Sequence, residues 1–110
     1  MDAGVGGRYG SISVRREAGE TVLVLAGEID AAVVTAFDEE QGSDPVPVDA
    51  IDAGEVTFIA SVGVALLLRW VEAGPPGGPV LRRSSPRLDR FLELTRLTDV
   101  FRRPPEPPAG

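Results

Sequence analysis

A single α/β domain, built as a mixed sheet with helices packed on it, is the fold class this chain predicts. Two short β-branched runs, Ser11 to Val14 and Thr21 to Leu25, flank a turn at Glu17-Ala18-Gly19-Glu20, the pattern of a β-hairpin. Extended and helix-like segments then alternate to the end, which implies parallel later strands joined by helical crossovers. A chain of 110 residues is the size of one domain with one core.

After the hairpin, Asp30 precedes Ala31-Ala32-Val33-Val34-Thr35-Ala36-Phe37. Its carboxylate can accept a first-turn N–H bond, so it predicts an N-cap and a helix ending near Gln41-Gly42. Val46 to Ile51 reads as the third strand, with Pro47 tolerable only near its start or on an open edge. Ala53-Gly54-Glu55 is expected to break that strand, and Val56 to Ile59 leads into a second helix beginning around Ser61. Gly74-Pro75-Pro76-Gly77-Gly78 ends this helix, and Pro79 to Arg82 forms a fourth strand. Ser85-Pro86 then opens a third helix, a cap residue followed by proline at the first position. Leu88, Phe91 and Leu92 are its expected buried stripe. Glycine-rich residues 1–9 and proline-rich residues 102–110 read as flexible ends around a domain at 10–101.

Composition removes many chemistries. The chain has no cysteine and no histidine, and all eleven basic residues are arginine. A His-activated nucleophile, a thiolate or imidazole zinc site, a disulfide, a Walker A lysine and a Schiff base are thereby excluded. The carboxylate pairs offer little: Asp38-Glu39 are consecutive on a helix face, and Asp49 and Asp52 fall on opposite sides of a strand. No catalytic residue, metal site or cofactor is expected.

Net charge is −6 and unevenly spread, with twelve acids and three arginines in residues 1–60 against five and eight in 61–110. An acidic protein is poorly suited to bind a phosphate backbone, so no nucleic-acid partner is expected. The cluster Arg82, Arg83, Arg87 and Arg90 reads as a solvated face. The longest uncharged stretch, Val56 to Leu68, has 13 residues, short of the ~20 needed to span a bilayer. Met1 to Gly4 lacks the basic and apolar regions of a signal peptide. Neither membrane insertion nor export is expected, and the reading is cytoplasmic.

On a helical wheel the second helix has two apolar faces. Val64, Leu67, Leu68 and Val71 share one, and Val62, Leu66 and Trp70 share the other, flanked by Arg69. A helix covering a sheet needs one such stripe. The second is therefore expected either to be buried by the rest of the fold or to meet a partner, with a homodimer left open. Ser61, where the chain enters this helix, would ordinarily act as its N-cap. It is no catalytic nucleophile, because no His or Lys exists to activate it and Ile59-Ala60-Ser61-Val62-Gly63 lacks the leading glycine of a nucleophile elbow.

Three segments occur in order: Gly27-Glu28-Ile29-Asp30, then Ile51-Asp52-Ala53-Gly54-Glu55-Val56-Thr57-Phe58-Ile59-Ala60-Ser61-Val62-Gly63, then Ser85-Pro86-Arg87-Leu88 through Leu92-Glu93-Leu94-Thr95-Arg96-Leu97. Together they resemble a STAS domain of the bacterial anti-sigma-factor antagonist type, over Ser11 to Phe101. The resemblance implies a four-stranded sheet and a regulator of transcription that works by protein binding and not by catalysis. It further implies an anti-sigma factor with Ser/Thr kinase activity as partner, bound by the unmodified protein and released on phosphorylation of the serine matching Ser61.

In this resemblance Glu28 and Asp30 match the loop beside the switch serine, and Gly63 keeps the motif's glycine. Ala60 stands where the family usually carries Asp, Val62 where it carries Ser or Thr, and Arg96 where a Gly is common after Thr95. The expected partner-binding set is Glu28, Asp30, Ala60, Val62, Gly63, Leu66 and Trp70, with the Val62, Leu66 and Trp70 stripe as hydrophobic centre. The alternative is an accessory STAS subunit docking on a transporter ATPase component without phospho-switching.

Overall fold

The turn between the first two expected strands shows how local chemistry sets this fold. Ala18 and Gly19 both have positive φ, 51° and 82°, the combination that lets a two-residue turn follow the right-handed twist of its strands. In this computed structural model, which describes residues 3–6, 10–42, 44–97 and 100–101, the turn joins β2 (Gly10–Glu17) to β3 (Glu20–Ile29). The pairing is antiparallel and runs from Glu17↔Glu20 to Gly10↔Gly27.

From β3 the chain enters α1 (Ala31–Gln41), then β4 (Ala50–Ile59), α2 (Ser61–Ala73), β5 (Val80–Arg83) and α3 (Pro86–Thr95). Strands β4 and β5 continue the sheet in parallel, as the alternation implies. The hairpin, the four expected strands and the three helices are all present. A further strand, β1 (Ala3–Gly6), pairs antiparallel with β2 at the edge, so the sheet order is β1-β2-β3-β4-β5. It falls in the glycine-rich segment read as a flexible lead. Strand pairing uses backbone N–H and C=O groups, which glycine carries as well as any residue. The proline-rich 102–110 lies outside the described residues.

The third strand is a second correction. It starts at Ala50, not Val46, and continues through Ala53-Gly54-Glu55 to Ile59. The turn-like composition is absorbed as irregularity: β3 advances from Val24 to Ala26 while β4 advances from Asp52 to Glu55, and again from Gly27 to Glu28 against Val56 to Phe58. Each step leaves one extra residue on β4, a bulge in place of a break. The Asp52 carboxylate supports the first by accepting from the Gly54 amide at 3.1 Å.

The core is one cluster that includes Ile12, Leu23, Leu25 and Ile29 from the hairpin, Ile51 and Ile59 from β4, and Leu81 from β5. The helices add Val33, Val34 and Phe37, then Val64, Leu66, Leu67 and Trp70, then Leu88 and Leu92. Both apolar faces of α2 therefore contribute to the core, with Val62 left exposed at the helix start. Trp70 is 2% exposed and packs against Phe37 with ring centroids 5.6 Å apart and planes tilted by 44°, a favourable aromatic geometry. Beside this pair, Arg69 donates to both oxygens of Asp38 at 3.0 and 3.3 Å, tying α2 to α1. Asp38 is thus a structural partner and no free carboxylate of a solvated pair. Asp49 is likewise engaged, accepting from the Thr21 amide at 2.9 Å.

Candidate functional site

In a sheet with parallel strands, the loops leaving the strands' C-terminal ends stand side by side and form the usual ligand-facing edge. Here those are the β3–α1 and β4–α2 junctions. Glu28 pairs with Phe58 and Ile29 with Ile59, and the Ala60 amide donates to the Ile29 carbonyl at 2.9 Å. The two loops are thereby locked together, with Glu28 and Asp30 on one and Ala60, Ser61 and Val62 on the other.

Glycines permit this closeness. A side chain at Gly10 would overlap the Glu28 backbone carbonyl, so β2 can lie against the first loop only without one. At Gly63 a Cβ would sit 2.8 Å from Ile59 Cγ1 and 2.9 Å from Ile29 Cγ2. Gly63 is buried. It seats the first turn of α2 on the ends of β3 and β4, and so positions the edge.

The helix termini at this edge differ. Asp30 caps α1 by accepting from the Val33 amide at 3.0 Å, as the sequence predicts. Ser85 caps α3, its hydroxyl accepting from the Leu88 amide at 3.3 Å. The α2 N-cap is Ala60, which brings no side-chain acceptor. Ser61 is therefore the first helical residue and not the cap, and its side chain is exposed. The amides of Gly63 and Val64 are both taken by the Ala60 carbonyl, at 2.9 and 3.2 Å. Ser61 and Val62 carry the remaining first-turn N–H groups, at the positive end of the helix dipole.

Among the expected partner-binding residues, Glu28 and Val62 are exposed, and Asp30 and Ala60 are partly so; Ser61, the expected phosphorylation site, is exposed beside them. Leu66 and Trp70 are not available: at 0% and 2% exposure they belong to the core. The reading of Val62, Leu66 and Trp70 as a docking stripe is overturned, because α1 lies against that face of α2 and Phe37 covers the indole. Only Val62, at 41%, reaches the surface. With Leu66 and Trp70 inside the fold, neither a partner nor a second copy is needed to cover this face.

Sequence reasoning missed two exposed apolar side chains, Phe58 (45%) and Leu94 (73%). They border a groove of about 450 Å³ between the end of β4 and α3, lined also by Ile59, Pro86, Arg87, Arg90 and Phe91. A signal for Leu94 existed: at 100° per residue it falls about 200° around the helix from the buried Leu92. Phe58 had none, since the β4 bulge beside it is a tertiary feature.

The basic cluster also divides. Arg82 binds Glu17 and Glu20, and Arg83 binds Asp52 and Glu55. These partners raise both guanidinium pKa values from their ordinary value, chiefly through the hydrogen bonds to Glu20 and to Asp52 respectively. Arg87 and Arg90 have no side-chain hydrogen bond or ion pair among the described residues. The described residues contain no cluster of carboxylates able to hold a metal ion, and no helix among them is long and apolar enough to cross a membrane.

Comparison with known proteins agrees with this architecture. A crystal structure of an anti-sigma factor antagonist from Mycobacterium paratuberculosis is similar, with a TM-score of 0.62 and 25% identity over 93% of this chain and 92% of that one. No curated protein sequence matches. A family model described as "Mlab, STAS domain" matches residues 12–102, which span the sheet from β2 onward and all three helices. On that match, supported by the fold, the chain belongs to the STAS-domain family.

Proposed function

We propose that this domain is an anti-sigma-factor antagonist that works as a charge-operated binding switch. Unmodified, it sequesters an anti-sigma factor with Ser/Thr kinase activity through the edge formed by Glu28, Asp30, Ala60, Ser61 and Val62. Phosphorylation of Ser61 ends the association. The observation that carries this reading is an exposed serine at the first position of a helix whose N-terminus has no side-chain cap.

The physics of that position favours release without unfolding. A phosphate adds roughly −1.5 to −2 charges. At a helix N-terminus it is stabilised by free amides and by the dipole, so the fold tolerates it. The partner does not, because the new charge arrives on an edge already carrying Glu28 and Asp30, and close packing there is opposed by repulsion and desolvation. The action is that of a cytoplasmic, non-catalytic regulator.

The test is incubation with a candidate anti-sigma kinase in ADP and then in ATP. A stable complex in ADP and a single phosphate on Ser61 with dissociation in ATP are the expected results. An unmodified Ser61 with no complex in either nucleotide overturns the proposal. Ala60, lacking the carboxylate usual at this position in the family, favours one second reading, an accessory subunit that docks without phosphorylation. Stable association with a transporter ATPase subunit, unaffected by Ser61→Glu, would select it.

A further inference from the structure

The outward stripe of α3 is chemically unlike the rest of this acidic molecule. Arg87, Arg90, Phe91 and Leu94 recur at intervals of three and four residues, the spacing of one helix face. All four line the groove closed on its other side by Phe58 and Ile59. Leu94 and Phe58 hold much of their apolar surface in water. Neither arginine has an acidic partner among the described residues, although the chain carries 17 acidic side chains and pairs Arg69, Arg82 and Arg83 with five of them. Unpaired cations above an apolar floor, on a protein of net charge −6, define complementary chemistry on whatever covers them.

From this juxtaposition we infer that the groove between α3 and the end of β4 docks an acidic amphipathic helix of a partner protein. Carboxylates of that helix lie opposite Arg87 and Arg90, and a large apolar side chain enters between Phe58, Phe91 and Leu94. A helix fits better than a small anionic amphiphile. A ligand confined to the groove would leave the outer side of Leu94 in water, whereas a helix lying along α3 covers Leu94 and Phe58 together and gains by their burial. Phe58 lies three residues before Ser61 in sequence, but the inference does not depend on Ser61 or on its modification.

The experiment uses the full chain and two synthetic amphipathic peptides of equal length. Both carry leucine and phenylalanine at the same i, i+3/i+4 positions, one flanked by glutamates and the other by lysines. Titration followed by backbone amide NMR is expected to show the acidic peptide perturbing residues 87–94 and Phe58–Ile59, with affinity on the order of tenfold above the basic one. Arg87→Glu/Arg90→Glu, both at exposed positions, should reverse the preference. Leu94→Asp should remove binding of either peptide while the circular dichroism spectrum stays unchanged. Equal binding of the two peptides, perturbation elsewhere on the surface, or no binding of the acidic peptide overturns the inference. So does dodecanoate occupying the groove while the acidic peptide does not.

Discussion

The Ala60 amide donates to the Ile29 carbonyl at 2.9 Å, and this bond sets Ser61 beside the loop that carries Glu28 and Asp30. Residues about thirty apart in sequence thereby form one edge, with a helix start on each side. Asp30 caps its helix and Ala60 does not. That difference leaves the first-turn amides of α2 without a side-chain acceptor, which is the setting in which a charge added at Ser61 is tolerated by the fold.

Supplying the missing cap should stabilise the protein. Ala60→Asp places an acceptor at the N-cap of α2 while keeping the backbone bond to Ile29. An increase of about 1 kcal/mol in unfolding free energy is expected from urea denaturation. No gain would mean that the Ala60 backbone does not present a side chain to the first-turn amides.

Ser61→Glu tests the tolerance directly. At an exposed first helical position beside the positive end of the dipole, the substitution should change stability by no more than about 1 kcal/mol. Thermal unfolding monitored by circular dichroism gives the answer. A loss of several kcal/mol would contradict the helix-terminus argument independently of any partner.

Trp70→Ala should act on folding. The indole is buried against Phe37, and its removal is expected to cost about 3–5 kcal/mol. A marginally stable domain of this size could be largely unfolded by such a loss. Phe37→Leu, which retains most of the apolar volume, is expected to cost less and to keep the domain folded, so that the contribution of the ring contact can be measured by chemical denaturation.

Gly10→Ala and Gly63→Ala should both destabilise, for different reasons. At Gly10 the added methyl meets the Glu28 backbone carbonyl, which cannot rotate away. At Gly63 it meets the side chains of Ile59 and Ile29, which are held in the core. Losses of about 1–3 kcal/mol are expected for overpacking, with Gly10→Ala the larger. Denaturant midpoints of the two variants rank them.

Local chemistry carried much of this structure. Asp30 before Ala31, Ser85 before Pro86, and Ala18-Gly19 between β-branched runs each specify a helix start or a turn through contacts within a few residues, so they are legible without a fold. Those same contacts determine the order of strands and helices, and with it the α/β class and the placing of Ser61 at the mouth of α2. Absence of cysteine, histidine and lysine likewise excludes several chemistries whatever the fold.

Tertiary structure alone decided which apolar residues stay in water. Trp70 and Leu66 occupy an amphipathic position that suits an interface or a core equally well, and only tertiary packing, including that of Phe37 on Trp70, puts them in the core. Phe58 and Leu94 are exposed for the converse reason: beyond Asp52 no β5 residue pairs with β4, and nothing among the described residues covers the outer stripe of α3. Burial depends on contacts between segments far apart in sequence. A side chain's own hydrophobicity states what burial is worth, but not whether a neighbour arrives to provide it.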